Sequence, residues 1–159
     1  MKNVQEIMVT SPKYCGKNET LQAVAEQMAK SNIGSLPVVD ENKKLVGIIT
    51  DRDIALTLGK QAGKKLTEIK VQDVIANKKV HSVLDEDNLQ TALKIMRTKQ
   101  VRRLPVVDNE KTLKGIVTLN HIVRLTHGSN EEAEMEYKGE ENVIKTLHSI
   151  ANRQNEMAF

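Results

Sequence analysis

Leu21, Val24, Ala25 and Met28 stand at i, i+3, i+4 and i+7, the spacing of one apolar face of an α-helix. Glu19 and Thr20 precede them as helix-start signals. The pattern then tightens to short β-rich runs, "SLPVVD" from Ser35 and "KLVGIIT" ending at Thr50, on either side of the polar "ENKK". That arrangement predicts a β-hairpin. Pro37 has no N–H to give a ladder, so its place is expected at the first residue or the edge of a strand. A second helix is predicted from about Asp51 through Ile54, Ala55 and Leu58, with Asp51 and Asp53 in the first turn, where the helix dipole favours negative charge. Gly59 and Gly63 are expected to close the unit. With an opening strand around Cys15, the predicted order is strand, helix, strand, strand, helix.

The whole pattern recurs. At a shift of 68 residues "LPVVD" at Leu36–Asp40 falls on "LPVVD" at Leu104–Asp108, and Gly47-Ile48-Ile49-Thr50 falls on Gly115-Ile116-Val117-Thr118. Over 18–54 against 86–122, 14 of 37 positions are identical. The openings "VQEIM" at Val4 and "VQDVI" at Val71 also match, at a shift of 67, so one loop between them differs by a residue. Helices are accordingly expected near Leu89–Thr98 and Leu119–Thr126, with a short helical turn near Val71–Ile75. The fold class is mixed α/β (α+β): two β-α-β-β-α units, each too small to bury a sufficient core alone, packed by a pseudo-two-fold axis. The expected organisation is a first repeat over 1–58, a polar linker over 59–70, a second repeat over 71–126 and an extension over 127–159. The extension is highly charged and then offers Val143, Ile144, Leu147, Ile150 and Ala151 as an amphipathic helix. That helix suits either a packing cap or a contact with a partner.

Composition narrows the function. The chain has 159 residues, 24 basic and 21 acidic with the signs interspersed, and a net charge of +3. This is not the concentrated basic footprint of a duplex binder. One Phe, two Tyr and no Trp leave little for stacking single-stranded bases. No stretch approaches a membrane span, and no signal peptide is evident. The single cysteine, Cys15, excludes an intrachain disulfide and fits a reducing compartment. A cytoplasmic location is the expectation. Cys15 reads as a small buried residue rather than a nucleophile. The four histidines (His81, His121, His127, His148) show no metal spacing. There is no Gly-rich phosphate loop and no nucleophile–base pair, so an enzyme is not expected and no cofactor or metal is implied.

"LPVVD", a hairpin and "GIITDRDI", followed by "RRLPVVD…LKGIVTLNHI" in register, resemble a pair of CBS (cystathionine-β-synthase) domains of the stand-alone bacterial or archaeal type. The resemblance covers about residues 1–126. It implies a two-unit regulatory module that forms homodimers, with clefts that commonly hold AMP, ADP or ATP, as in energy sensing. Some members hold S-adenosylmethionine or another nucleotide. In this family the Thr-x-x-Asp motif after the last strand faces the nucleotide, its carboxylate accepting from both ribose hydroxyls. The helix that follows offers free N–H groups to an anion.

The two copies differ at that motif. The first has Thr50 and Asp53; the second has Thr118 and His121, and an imidazole cannot replace a bidentate acceptor. Before "LPVVD" the first copy has Gly34-Ser35 and the second Arg102-Arg103, the pair suited to grip phosphate. Clefts in the family are built crosswise, which assigns Thr50, Asp53, Arg102 and Arg103 to one competent cleft and leaves the other without ribose acceptor or phosphate clamp. By the same logic Ile48 and Val101 flank the adenine, and Val80 and His81, on the first strand of the second unit, offer backbone groups to its edge. Arg52 and Asn120 point toward the phosphates. Plainer roles stand beside these: Asp53 as a first-turn charge, Thr50 as an N-cap, Arg102 and Arg103 as a solvated pair, Arg52 as an ion-pair partner of Asp51 or Glu68. The expected function is a sensor of an adenine nucleotide that signals to a regulated protein by conformational change. The alternatives are a module for another ligand, such as S-adenosylmethionine or a signalling nucleotide, or a structural dimerisation module with vestigial clefts.

Overall fold

The computed structural model describes residues 3–61, 63–127, 145–147 and 149. Its elements are α1 (Val4–Ile7), β1 (Val9–Thr10), β2 (Cys15–Gly16), α2 (Leu21–Ser31), β3 (Ser35–Val39), β4 (Leu45–Thr50), α3 (Asp51–Lys60), a 3₁₀ turn (Leu66–Glu68), α4 (Val71–Ile75), β5 (Val83–Leu84), α5 (Leu89–Lys99), β6 (Arg103–Val107), β7 (Leu113–Thr118) and α6 (Leu119–His127). Mixed α/β structure with two sheets is the class the periodicities predict. The charged segment and most of the amphipathic tail lie outside the described residues; 145–147 and 149 are helical.

The chain divides into two compact units. One consists of Lys13–Val80 and Glu110–Leu113; the other of Met1–Pro12, His81–Asn109 and Lys114–Phe159. In the Lys13–Val80 unit the sheet order is β2-β3-β4. β2 runs parallel to β3 (Cys15 opposite Val38), and β3 runs antiparallel to β4, from Ser35 opposite Thr50 to Val39 opposite Leu45, with an irregularity between Val38 and Val39. The core gathers Leu21, Val24 and Met28 of α2, Leu36, Val38 and Ile49 of the sheet, Ile54 of α3, and Val71 and Ile75 of α4. The predicted face of α2 is therefore the buried one, except that Ala25 is only partly covered. In the other unit the order is β1-β7-β6-β5, and the core joins Val4 and Ile7 of α1 to Leu93, Met96, Leu104, Val106, Val117, Leu119 and Ile122.

The duplication is visible down to backbone angles. Thr20 and Asn88 cap α2 and α5 by accepting from the N–H of Ala23 and Thr91. Asn32 and Gln100 end these helices in the left-handed region, at φ 50° and 52°. Lys43 and Lys111 repeat a left-handed residue in the hairpin turns, at φ 57° and 65°.

The openings of the repeats are exchanged. The N–H groups of Val71 and Gln72 donate to Glu19 and Lys17, both at 2.9 Å, so the start of the second repeat docks on the first. Val4 and Gln5 donate to Asp87 and Asp85, at 2.8 and 3.0 Å, so the start of the first repeat docks on the second. A glycine makes room each time. A Cβ on Gly47 would lie 2.6 Å from Cδ1 of Ile75, and one on Gly115 2.5 Å from Sδ of Met8. The "GI" that recurs in both copies is thus the seat for a side chain from the other repeat's opening.

Pro37 is the third residue of β3, the middle strand. β2 pairs with β3 only at Val38 and Val39, so at Pro37 the strand has β4 as its one neighbour and the proline stands at a local edge, as expected. Two expectations need correction. Gly59 lies inside α3, which runs to Lys60; only Gly63, at φ +97°, occupies a conformation that suits glycine as a terminator. Val80 and His81 are not on a strand: β5 begins at Val83.

Candidate functional site

β4 ends on Thr50 and α3 begins on Asp51, so the Thr-x-x-Asp motif is a strand-to-helix turn. Thr50 is the N-cap of α3. Its Oγ1 accepts from the N–H of Asp53 at 3.2 Å, and Oδ2 of Asp53 accepts from the N–H of Thr50 at 3.0 Å, a closed capping box. The spacing of three is what allows the reciprocity. Oδ1 of Asp53 is held by the ammonium of Lys78, which follows α4. The Asp53 side chain is 16% exposed and that of Lys78 44%, so the carboxylate is the fixed member and the ammonium the freer one. The plainer roles of Thr50 and Asp53 are thus real, and they pre-orient the carboxylate at the positive end of a ten-residue helix.

In the second copy half of this device is missing. Oγ1 of Thr118 accepts from the N–H of His121 at 3.2 Å, as Thr50 does for Asp53. The imidazole returns nothing: its Nδ1 is buried without a hydrogen-bond partner. The Gly34/Arg102 difference also has a local cause. In the first copy Asp51 donates its N–H to the Gly34 carbonyl at 3.1 Å, and its Oδ2 lies 2.9 Å from where a Gly34 Cβ would stand. In the second copy Leu119 makes the same backbone bond to Arg102 at 2.8 Å but buries its side chain in the core. The space over position 102 is then open to an arginine.

Of the ten residues expected in the competent cleft, Ile48, Thr50, Arg52, Asp53 and Val80 belong to the Lys13–Val80 unit, and His81, Val101, Arg102, Arg103 and Asn120 to the other. Thr50 and Asp53 are in direct contact. Ile48, Val80, His81, Val101 and Arg103 are half-buried, and Arg52, Arg102 and Asn120 are exposed. None of the ten lines the open cavity of about 420 Å³ formed by Met28, Ile33, Gly34, Asp51 and Ile54 between α2 and α3. Lys78 is the participant the motif does not reveal. Its signal is weak: a cation in "NKKV", where the first copy has uncharged Thr10 and Ser11 at the two possible shifts.

Cys15 is fully buried in β2, and burial, with the nearby Glu19 charge, pushes its thiol up to about 12. A thiol so shifted is protonated at neutral pH and is a poor nucleophile or metal ligand. Among the described residues no group of three or more His, Cys, Asp or Glu side chains could hold a metal ion, and no helix is long and apolar enough to cross a membrane.

The CBS domain family model matches the chain twice, over residues 4–60 and 71–128. An uncharacterized protein of Bacillus subtilis strain 168, YlbB, is 38% identical over 134 residues, which is 84% of this chain and 87% of that one. The CBS domain pair of protein MJ0100, solved in complex with 5′-methylthioadenosine and S-adenosyl-L-methionine, superposes with a TM-score of 0.67 at 32% identity and covers 82% of this chain and 99% of that chain. CBSX2, solved in complex with AMP, superposes with a TM-score of 0.64 at 25% identity and covers 79% and 96%.

Proposed function

We propose that this chain, which belongs to the CBS domain family, is a ligand-sensing regulatory module whose ligand is an adenine nucleotide: AMP, ADP or ATP. The observation that carries this reading is the pre-oriented Asp53 carboxylate at the start of α3, set against His121 at the matching position. The ligands named for MJ0100 and CBSX2 support it, because methylthioadenosine, S-adenosylmethionine and AMP share one adenosyl group. A carboxylate acceptor for the 2′- and 3′-hydroxyls is the chemistry they have in common. In this proposal Thr50 and Asp53 take the ribose. Ile48 and Val101 flank the base, and Val80 and His81 meet its edge. Arg102 and Arg103, with Arg52 and Asn120, serve the phosphates. The module is a homodimer in a reducing cytoplasm, needs no metal or other cofactor, performs no catalysis, and passes its signal to a regulated protein by favouring one conformation. The ligand shifts that equilibrium only by its differential affinity for the two states.

S-Adenosylmethionine is the second reading, favoured by its presence in the 32%-identical MJ0100 pair. The Arg102-Arg103 pair favours phosphate over a sulfonium. Thermal melts with AMP, ADP, ATP, S-adenosylmethionine and methylthioadenosine separate the two. A ligand at 100 times its dissociation constant adds about 2.7 kcal/mol. Titration calorimetry is expected to give one site per chain, lost in Asp53→Ala. No shift with any of the five ligands, or a full shift retained by Asp53→Ala, would falsify the proposal.

A further inference from the structure

Asp53 is not an open acceptor. Oδ2 is committed to the N–H of Thr50 and Oδ1 to the ammonium of Lys78. Each oxygen keeps a further lone pair, but a ribose diol that takes Oδ1 meets the ammonium already seated on it. Giving up Oδ2 would leave the Thr50 N–H without its acceptor at the start of α3, so Lys78, the more exposed contact, is the one that yields. Its backbone is anchored, its N–H donating to the Ile75 carbonyl at 2.9 Å, while its side chain is the more exposed member of the pair. The ammonium can therefore leave the carboxylate without moving the chain. The second copy has neither charge: where the first has Asp53 it has His121, and the position of Lys78 is taken by uncharged Thr10 or Ser11.

We propose that Lys78 sets the ligand specificity of the Thr50–Asp53 site: a ribonucleoside that takes Oδ1 of Asp53 displaces the ammonium without compensation, whereas a ribonucleotide offers the displaced ammonium a phosphate. This rests on the ribose reading of Asp53. A 5′-phosphate lies within the swing of a lysine side chain from the ribose hydroxyls, so the cation that opposes the sugar then attracts the anion. Lys78 thus penalises the dephosphorylated ligand and acts apart from the arginine pair.

The test is titration calorimetry of adenosine and AMP against the full chain as wild type, Lys78→Met and Asp53→Asn. Wild type is expected to prefer AMP. In Lys78→Met adenosine binds roughly fivefold more tightly, the effect of removing one competing ion pair of this exposure. AMP does not gain, so its preference over adenosine narrows by at least that factor. If AMP binds wild type, loses affinity in Asp53→Asn, and keeps its preference over adenosine within about twofold in Lys78→Met, the role of Lys78 is wrong and the ribose reading stands. If neither probe binds wild type or Lys78→Met, or Asp53→Asn binds both as wild type does, the ribose reading falls and the proposal with it. Should Lys78→Met fail to fold, Lys78→Gln replaces it. Lys78→Gln, which also removes the charge but keeps a polar end, is expected to narrow the preference for AMP in the same way; an unchanged preference overturns the proposal.

Discussion

Gly115→Ala and Gly47→Ala look like the same substitution in two copies of one motif, yet the structure separates their costs. At Gly47 the three atoms nearest the new Cβ all belong to the Ile75 side chain: Cδ1 at 2.6 Å, Cβ at 3.4 Å and Cγ1 at 3.5 Å. Cδ1 is the far end of a side chain that can turn away. At Gly115 the Cβ meets Sδ of Met8 at 2.5 Å, its Cγ at 2.9 Å and the carbonyl oxygen of Val9 at 2.9 Å. That oxygen belongs to β1, which pairs with β7 through Val9–Ile116 and Thr10–Gly115 alone. It cannot retreat without lifting the strand. Overpacking of this kind costs roughly 1–3 kcal/mol, against a gain of about 0.4–1 kcal/mol from a less flexible unfolded chain. Gly47→Ala is expected near neutrality and Gly115→Ala about 1–2 kcal/mol destabilised. Urea denaturation reads the difference, and amide exchange of Val9 and Thr10 localises it. Met8→Ala in the Gly115→Ala background should restore only part of the loss, because the Val9 oxygen remains. Gly115→Ala proving no more costly than Gly47→Ala, or complete rescue by Met8→Ala, would refute the assignment of the clash to β1.

Two further outcomes are expected. His121→Asp supplies the missing arm of a capping box and removes a buried unpaired nitrogen, so it should stabilise by about 0.5–1.5 kcal/mol, read as a higher melting temperature; an unchanged or lower one contradicts the role given to position 121. Cys15 is held protonated in the fold, its thiol raised to about 12 from an ordinary 9.0. The unfolded chain then loses that proton first as pH rises, so its contribution to stability is full below about 9 and declines toward 12. Comparison with Cys15→Ala across that window should show a shallower fall in the variant, and the native thiol should resist aromatic disulfide reagents at neutral pH; equal slopes or rapid labelling would count against a buried, protonated Cys15.

Much of the fold was legible because it rests on local periodicity. Leu21, Val24 and Met28 mark the buried stripe of α2, and the "ENKK" turn marks the hairpin. A shift of 68 residues then carries each expectation to the second copy. Less local features were not legible. The exchange of openings depends on which strand edge a four-residue helix reaches, and "VQEI" carries no mark of the sheet it will join. Pro37 marks an edge, but does not reveal that the edge is confined to one end of a middle strand, which depends on where β2 stops pairing. At the site, Thr50 and Asp53 follow from a spacing of three along one turn. Lys78 does not, since its contact spans 25 residues and its neighbour Lys79 has the same charge.

The differences between the copies bear on whether the clefts are vestigial. Decay would leave each position to change by itself, and single changes here would disturb a neighbour. An arginine at position 34 would drive its Cβ against the Asp51 carboxylate. A histidine at position 53 would leave the Lys78 ammonium without its partner and Thr50 without its returning acceptor. Instead the changes come in pairs: Gly34 with Asp51 against Arg102 with Leu119, and Asp53 with Lys78 against His121 with an uncharged residue. The one change left uncompensated is the loss of a hydrogen bond at His121, whose Nδ1 is buried without a partner. A structural module would have as much reason to keep the capping acceptor at the start of α6 as at the start of α3. The acceptor is kept at the helix where an ammonium also faces it, which is what division of the two copies into one ligand-binding turn and one that has lost that duty predicts.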